Sequence, residues 1–376
     1  MSCVGLRKTC DALIQHDVCV KYRPMNLKKI PYIFDLCRKR AREGHLPVFR
    51  QLLEIAYLQV TRGIGYDVYH YAGMWDSSAS WDYKCSFLSY RDFGKKIYQL
   101  NARKFHGMSQ YKPFEKAFFS QYHIPNAYYI GTLDVQSGCT NDGQPLRSHE
   151  DLALLLKKYE GKKICFKLVE DSNGRGFKAY HVRVKQGEPS LQHLSRGTEY
   201  TARKLHELLM DESAGGWLLE EYIEQHPVLK AFNPTSLNTI RMFLYQKENG
   251  EVIPLKSFLK TGKPGELIDK TENGGASVFI DQDTGVLLGG FNWSPEMRPL
   301  HEHPGTGVPF EGVQIPFWKE AEAMAISALQ AFAGTRFVGV DIAISEHGPT
   351  MVEMNVHPDP DCMPVLRLQT AKIFAD

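Results

Sequence analysis

From Met1 to about Gly63, apolar residues recur three and four positions apart: Leu13, Ile14, Ile30, Ile33, Phe34, Leu36 and Cys37, then Phe49, Leu52, Leu53, Ile55, Ala56 and Leu58. That spacing marks one face of a helix, and Gly44 and Pro47 break the pattern into pieces. Residues 65–111 are dense in aromatics, among them Tyr66, Tyr69, Trp75, Trp81, Phe87 and Tyr98. A packed core accounts for them, and a platform for a sugar ring is the alternative. Lys112 to Phe119 reads as a helix with proline in its first turn, and Leu152 to Tyr159 as a short one. Strands are predicted over Lys163–Val169, Lys178–Val184, Trp217–Glu224, Asn238–Leu244 and Pro254–Lys260. Phe317 to Phe332 is an amphipathic helix whose apolar face is expected to cover a sheet.

The C-terminal stretch carries the chemistry. Phe337–Ile344 and Thr350–Val356 are β-branched and apolar, with Glu346, His347, Gly348 and Pro349 between them as a turn. Alternation puts Glu353 and Asn355 on one face and Met354 and Val356 on the other, and a hairpin brings Asp341 alongside the first pair. An acid on an apolar strand is costly unless it is paired or bound to a cation. Three converging oxygen donors suit Mg2+, whereas hydrogen bonds to loop backbone or a buried arginine are the structural alternative.

Upstream, Glu170 to Phe177 is a glycine-rich turn between two strands. Gly174 and Gly176 there expose backbone N–H groups suited to phosphate, with Lys167 as a point charge and Arg175 placed to lie over a nucleotide. An ordinary hairpin loop with a snorkelling lysine is the competing reading. Arg241, amid apolar neighbours, needs an anionic partner, either a phosphate or a structural carboxylate. Lys256, Phe258 and Lys260 share one strand face.

GVDIAI followed by VEMNVHP resembles the metal-binding end of the ATP-grasp superfamily, which includes D-alanine:D-alanine ligases, glutathione synthetases and tubulin tyrosine ligase. The resemblance implies that Asp341, Glu353 and Asn355 hold two Mg2+ ions against the phosphates of ATP. It further implies that Lys112, Lys167, Gly174, Arg175 and Gly176 meet the phosphates, and that Glu220 and the backbone of Tyr222 form the adenine edge. Arg241 and Lys260 would supply the charge that some relatives place just before the metal-binding aspartate, where Gly339 and Val340 stand here. The segment SYRDFGKKIYQLN is similar to the sugar-transfer-associated ATP-grasp family. The implied fold is α+β, two subdomains clasping ATP, with a helical aromatic-rich region in place of a Rossmann-like domain. The expected divisions are 1–110, 111–215 and 216–376.

Composition narrows the setting. With 45 basic and 43 acidic residues there is no overall field for nucleic acid. Eight cysteines without a CxxC pair read as free thiols, and no apolar run spans a bilayer, so a cytoplasmic protein is expected. The basic cluster Lys28, Lys29, Arg38, Lys39, Arg40 and Arg42 reads as a solvated helix face or as a peripheral contact with anionic lipid. His301-Glu302-His303 reads as a loop, an acceptor-site element or, with too few ligands, a zinc site. The function implied is an ATP-dependent carboxylate-amine ligase working through an acyl phosphate, its substrates small molecules such as a uronic acid or an amino acid. A kinase on the same fold and a non-catalytic nucleotide scaffold are the alternatives. Oligomeric state is not set by the sequence.

Overall fold

The computed structural model describes residues 27–170, 176–213, 215–269, 271 and 274–375. These divide into two units, one joining the residues up to Gln99 with those from Asp359 onward, the other running from Leu100 to Pro358. In the first unit, helices Ile30–Arg42 and Val48–Arg62 are separated by Gly44 and by Pro47, which serves as the second helix's N-cap. Ile33, Cys37, Ile55, Leu58, Val68, Tyr69 and Phe87 form its core, with Tyr66, Trp75, Tyr83 and Tyr90 packed on it. Two polar chains are buried with them: Lys84 donates to Glu54 at 2.6 Å, and the Tyr69 hydroxyl donates to the same carboxylate at 2.8 Å.

The second unit holds two antiparallel seven-stranded sheets. The first contains β1 (Tyr129–Leu133), β2 (Cys139–Thr140), β3 (Lys163–Leu168), β4 (Lys178–Lys185), β5 (Glu188–His193), β6 (Glu199–Thr201) and β7 (Trp217–Glu221), in the order β2-β1-β7-β3-β4-β5-β6. Helices His149–Lys157 and Ala202–Glu212 bury Leu152, Leu155, Leu156, Leu205 and Leu209 with Phe166, Trp217 and Leu219 of this sheet. The 149–157 helix starts earlier than apolar spacing predicts, because Ser148 and Asp151 cap it reciprocally.

The second sheet contains β8 (Thr239–Gln246), β9 (Val252–Thr261), β10 (Ala276–Ile280), β11 (Leu287–Phe291), β12 (Pro299–Leu300), β13 (Phe337–Ser345) and β14 (Gly348–Asn355), ordered β12-β11-β10-β9-β8-β13-β14. Helix Trp318–Ala331 covers one face through Ala321, Ala325, Ala328 and Leu329, packed on Ile240, Met242, Leu259, Val278, Val340 and Met354. The opposite face carries Arg241, Lys260, Asp341, Glu353 and Asn355.

Three differences from the sequence reading stand out. Trp217–Glu221, expected to open the third division, lies inside the first sheet between β1 and β3, because its apolar side completes that sheet's core. The residues from Asp359 pack with the helical unit: the Thr370 hydroxyl accepts from the Leu88 N–H at 3.0 Å, and Lys372 pairs with Asp82 at 2.6 Å. The metal-motif hairpin turns tightly, with Ser345 opposite Gly348, so Gly348 and Pro349 belong to the strand. Gly348 has φ +129°, open to glycine. Among the described residues, no helix is long and apolar enough to cross a membrane, and Cys37, Cys85, Cys139, Cys165 and Cys362 are free thiols.

Candidate active site

The hairpin of β13 and β14 sets the centre of the site. All of β13 except its last residue is buried, and Asp341 sits in its middle. Register places Arg241 opposite Asp341 on one side and Glu353 opposite it on the other. Arg241 grips the carboxylate with two hydrogen bonds, from Nε at 2.5 Å and from Nη2 at 2.9 Å, and Lys260 Nζ adds a third at 2.9 Å. Burial by itself would raise the Asp341 carboxyl, but these two cations hold it far below the usual carboxylate range. Gly339 makes this possible, since a β-carbon there would press on the Phe243 ring at 3.0 Å and on Arg241 Cδ at 3.2 Å.

Glu353 is disposed differently. Its side chain is 34 % exposed against 5 % for Asp341, and it lies 3.8 Å from Arg241 Nη2. It accepts a hydrogen bond from Asn355 Nδ2 at 2.9 Å. Among the described residues, no three His, Cys, Asp or Glu side chains are grouped to hold a metal; the set here is two carboxylates and an amide oxygen. Those donors are hard and share one face, which fits Mg2+, with Glu353 and Asn355 as the accessible pair.

A second charged cluster stands on the first sheet. Glu220 on β7 is paired in register with Cys165 on β3, and its carboxylate is held by Lys167 and by Lys116 Nζ at 2.8 Å. Burial would raise this carboxyl, but the two ammonium groups bring it down to about 2. Lys167 is shifted upward, Glu220 outweighing the opposite pull of burial. Lys116 escaped the sequence reading, which singled out Lys112 one turn earlier; the four-residue spacing on one helix face was the signal.

Helix Lys112–Gln121 ties the clusters together. Lys112 opens it and donates its backbone N–H to Val169 O at 3.1 Å. Glu115, buried, accepts the Met354 N–H of β14 at 2.7 Å, and desolvation, aided by the Glu353 charge, pushes its carboxyl up to about 8. Lys260 is likewise shifted upward, Asp269 and Asp341 outweighing burial, and the Glu353 charge adds a smaller push in the same direction to it and to Lys167, one from each sheet. Asn101, the last residue of SYRDFGKKIYQLN, braces the hairpin from behind: its Nδ2 donates to Phe337 O at 2.7 Å and Val356 O at 2.6 Å, and its Oδ1 accepts from the Arg336 and Phe337 N–H groups.

The remaining sequence candidates fall as follows. Gly176, at φ +71°, lies over Leu168 and the Trp217 ring, while Gly174 and Arg175 lie outside the described residues. Tyr222 follows β7 and donates its N–H to Lys163 O at 3.0 Å. Asn238 is buried in a polar knot with Gln225, Leu229 and Asn233. His303 is fully buried, its Nε2 against Gly262 O at 3.1 Å and its Nδ1 accepting from Gly305 and Thr306. Both ring nitrogens are engaged by the chain itself, so the zinc alternative for His301-Glu302-His303 is set aside.

Replacing Lys116 by methionine leaves buried Glu220 with Lys167 alone, and unfolding free energy should fall by about 3 kcal/mol. A carboxyl held near 2, against an ordinary 4.5, contributes stability that is full above 4.5 and lost as pH falls toward 2. The variant should therefore unfold at higher pH than wild type in an acid titration followed by circular dichroism; an unchanged midpoint would show that Lys116 does not hold Glu220 ionised.

Two antiparallel seven-stranded sheets, one with a lysine-bearing strand and the other with an acid-acid-amide hairpin, define the ATP-grasp fold. The chain belongs to the sugar-transfer associated ATP-grasp family, whose model matches residues 98–366. Solved structures that it resembles include N5-carboxyaminoimidazole ribonucleotide synthetase from Thermotoga maritima, at 13 % identity over 72 % of this chain and 49 % of that one, TM-score 0.36. Others are a biotin carboxylase complex with β,γ-ATP from Campylobacter jejuni, at 12 % identity over 71 % and 46 %, TM-score 0.42, and D-alanine–D-alanine ligase from Bacillus anthracis, at 13 % over 71 % and 66 %, TM-score 0.39. The chain spans about half the length of the first two. No curated protein matches it.

Proposed function

We propose that the protein is an ATP-dependent carboxylate-amine ligase. ATP, held with two Mg2+ ions, phosphorylates a carboxylate, and an amine displaces phosphate from the resulting acyl phosphate to leave an amide. The observation that carries this reading is the placement of Glu353, the most exposed acid of the set, in register with the Asp341 that Arg241 and Lys260 both hold and 3.8 Å from Arg241 itself. Asp341, Glu353 and Asn355 would hold the metal, which supplies charge neutralisation at the transferred phosphoryl group. Lys112, Lys167 and the loop through Gly174, Arg175 and Gly176 bind the phosphates, and Glu220 with Tyr222 borders the adenine. Arg241 and Lys260, now on Asp341, would meet the γ-phosphate and the acyl phosphate.

No protein nucleophile is required, since positioning the two substrates carries the chemistry. The carboxylate is a uronic acid or an amino acid linked to polysaccharide assembly, and a cytoplasmic setting goes with this reading. The test is ADP release with Mg2+ and ATP over a panel of glucuronate, galacturonate and the common amino acids, each with hydroxylamine as trap. Hydroxamate with one carboxylate is the expected result. ADP release with a stable phosphorylated product and no hydroxamate would make the protein a kinase; no ADP release with any acceptor would leave a nucleotide scaffold.

A further inference from the structure

The loop that leaves β9 is built to present one carboxylate. At its neck, Gly262 O accepts from Asn233 Nδ2 at 2.8 Å and from His303 Nε2 at 3.1 Å. Asn233 is itself fixed, donating to Ser236 Oγ at 2.8 Å, while Gln225 Nε2 donates to the carbonyls of Asn233 at 2.9 Å and Ser236 at 2.7 Å. Gln225, Asn233, Ser236 and His303 are all buried. The neck also closes on itself, because a β-carbon on Gly262 would run into the carbonyl of Ile268, so only glycine fits there.

The residue after Ile268 is Asp269. Its Oδ2 accepts the Thr239 hydroxyl and lies 3.4 Å from Lys260 Nζ. Thr239 and Lys260 are register partners on the charged face, so one carboxylate caps a pair that two strands bring together. Lys260 is thereby shared between two acids, and Asp341 already has the two-pronged grip of Arg241. The Asp269 and Lys260 side chains are 22 % and 18 % exposed, whereas Asp341 is 5 % exposed. The open side of Lys260 is thus the side of Asp269, and a buried polar framework of this extent is more than a surface loop needs to stay in place.

Resting on the ligase reading, we infer that Asp269, positioned by Thr239 and the Gly262 neck, is the acceptor-side carboxylate that receives the ammonium form of the attacking amine and takes its first proton. The amine nitrogen then forms the C–N bond at the acyl carbon, the C–O bond to phosphate breaks, and phosphate leaves with the electron pair. The second proton of the nitrogen passes to water as the amide forms. Lys260, beside Asp269, is placed against the anionic side of the same centre.

Hydroxylamine, which is neutral near pH 7, separates the two halves of the reaction. With the carboxylate that gives hydroxamate in wild type, the Asp269→Asn protein should keep hydroxamate formation within about threefold of wild type, the change that Lys260 feels on losing one of its two acids, while amide formation with a panel of ammonia, glycine and other primary amines falls on the order of 10²-fold. Thr239→Val should show a smaller fall in amide formation and the same hydroxamate rate. Loss of hydroxamate along with amide in Asp269→Asn would overturn the inference, because the residue would then serve the phosphoryl half or the fold. So would undiminished amide formation, or a wild type that makes hydroxamate but uses none of the amines. A wild type that makes no hydroxamate with any carboxylate refutes the ligase reading itself, and this inference goes with it.

Discussion

The Glu353→Gln protein is expected to consume ATP on the order of 10³-fold more slowly than wild type, the several kcal/mol that a metal-held charge contributes to phosphoryl transfer. The change keeps the size of the side chain and its capacity to accept from Asn355 Nδ2 at 2.9 Å. It removes the charge that acts on Lys167 from the first sheet and Lys260 from the second. Because the Glu353 side chain is a third exposed, folding should be spared. ADP release and a far-ultraviolet spectrum taken on the same preparation test both halves, and activity retained at a wild-type level would remove Glu353 from the metal set. Asn355→Ala is expected to act in the same direction.

Arg241→Ala should cost as much stability as the loss of Lys116. Asp341 is buried in the middle of β13, and its two oxygens rest on Arg241 and Lys260. Removing one partner of a buried ion pair costs about 3–5 kcal/mol, since a charge is left without compensation. Lys260 remains within 2.9 Å, which puts the expected loss at the lower end of that span. In the double variant Arg241→Ala with Asp341→Asn, part of the loss should return, because the stranded charge is gone. Urea unfolding of wild type, both single variants and the double variant closes the cycle. Strictly additive losses would mean that the two residues do not depend on each other.

Arg241 also shows how far the sequence reaches. That an arginine among apolar residues needs an anion follows from its neighbours alone, and the sequence left a phosphate and a carboxylate both open. The structure puts a carboxylate there, Asp341, exactly one strand away in register. Nothing in the local pattern of either strand names the other, because alternation encodes which face a residue takes and says nothing about which strand lies beside it. The same ignorance of strand order explains β7, read correctly as a strand yet assigned to the other side of a division, and β13 with β14, whose pairing was legible only because a short turn joins them.

Local chemistry was legible wherever neighbours in sequence are neighbours in space. The faces of the helix at Trp318–Ala331 and of β14, the breaks at Gly44 and Pro47, and the sharing of one strand face by Glu353 and Asn355 all follow from period and turn chemistry. What only the tertiary structure decided are the long-range polar contacts: Lys116 on Glu220, Asn101 bracing both strands of the hairpin, His303 spent on Gly262, and Asp269 brought over Thr239 and Lys260. Apart from Lys260, which lies close to Asp269 in the chain, each of these pairs a single side chain with a group tens to hundreds of positions away. A periodic pattern sums over many residues and survives local variation, whereas one charge meets its partner only after the whole sheet has chosen its order.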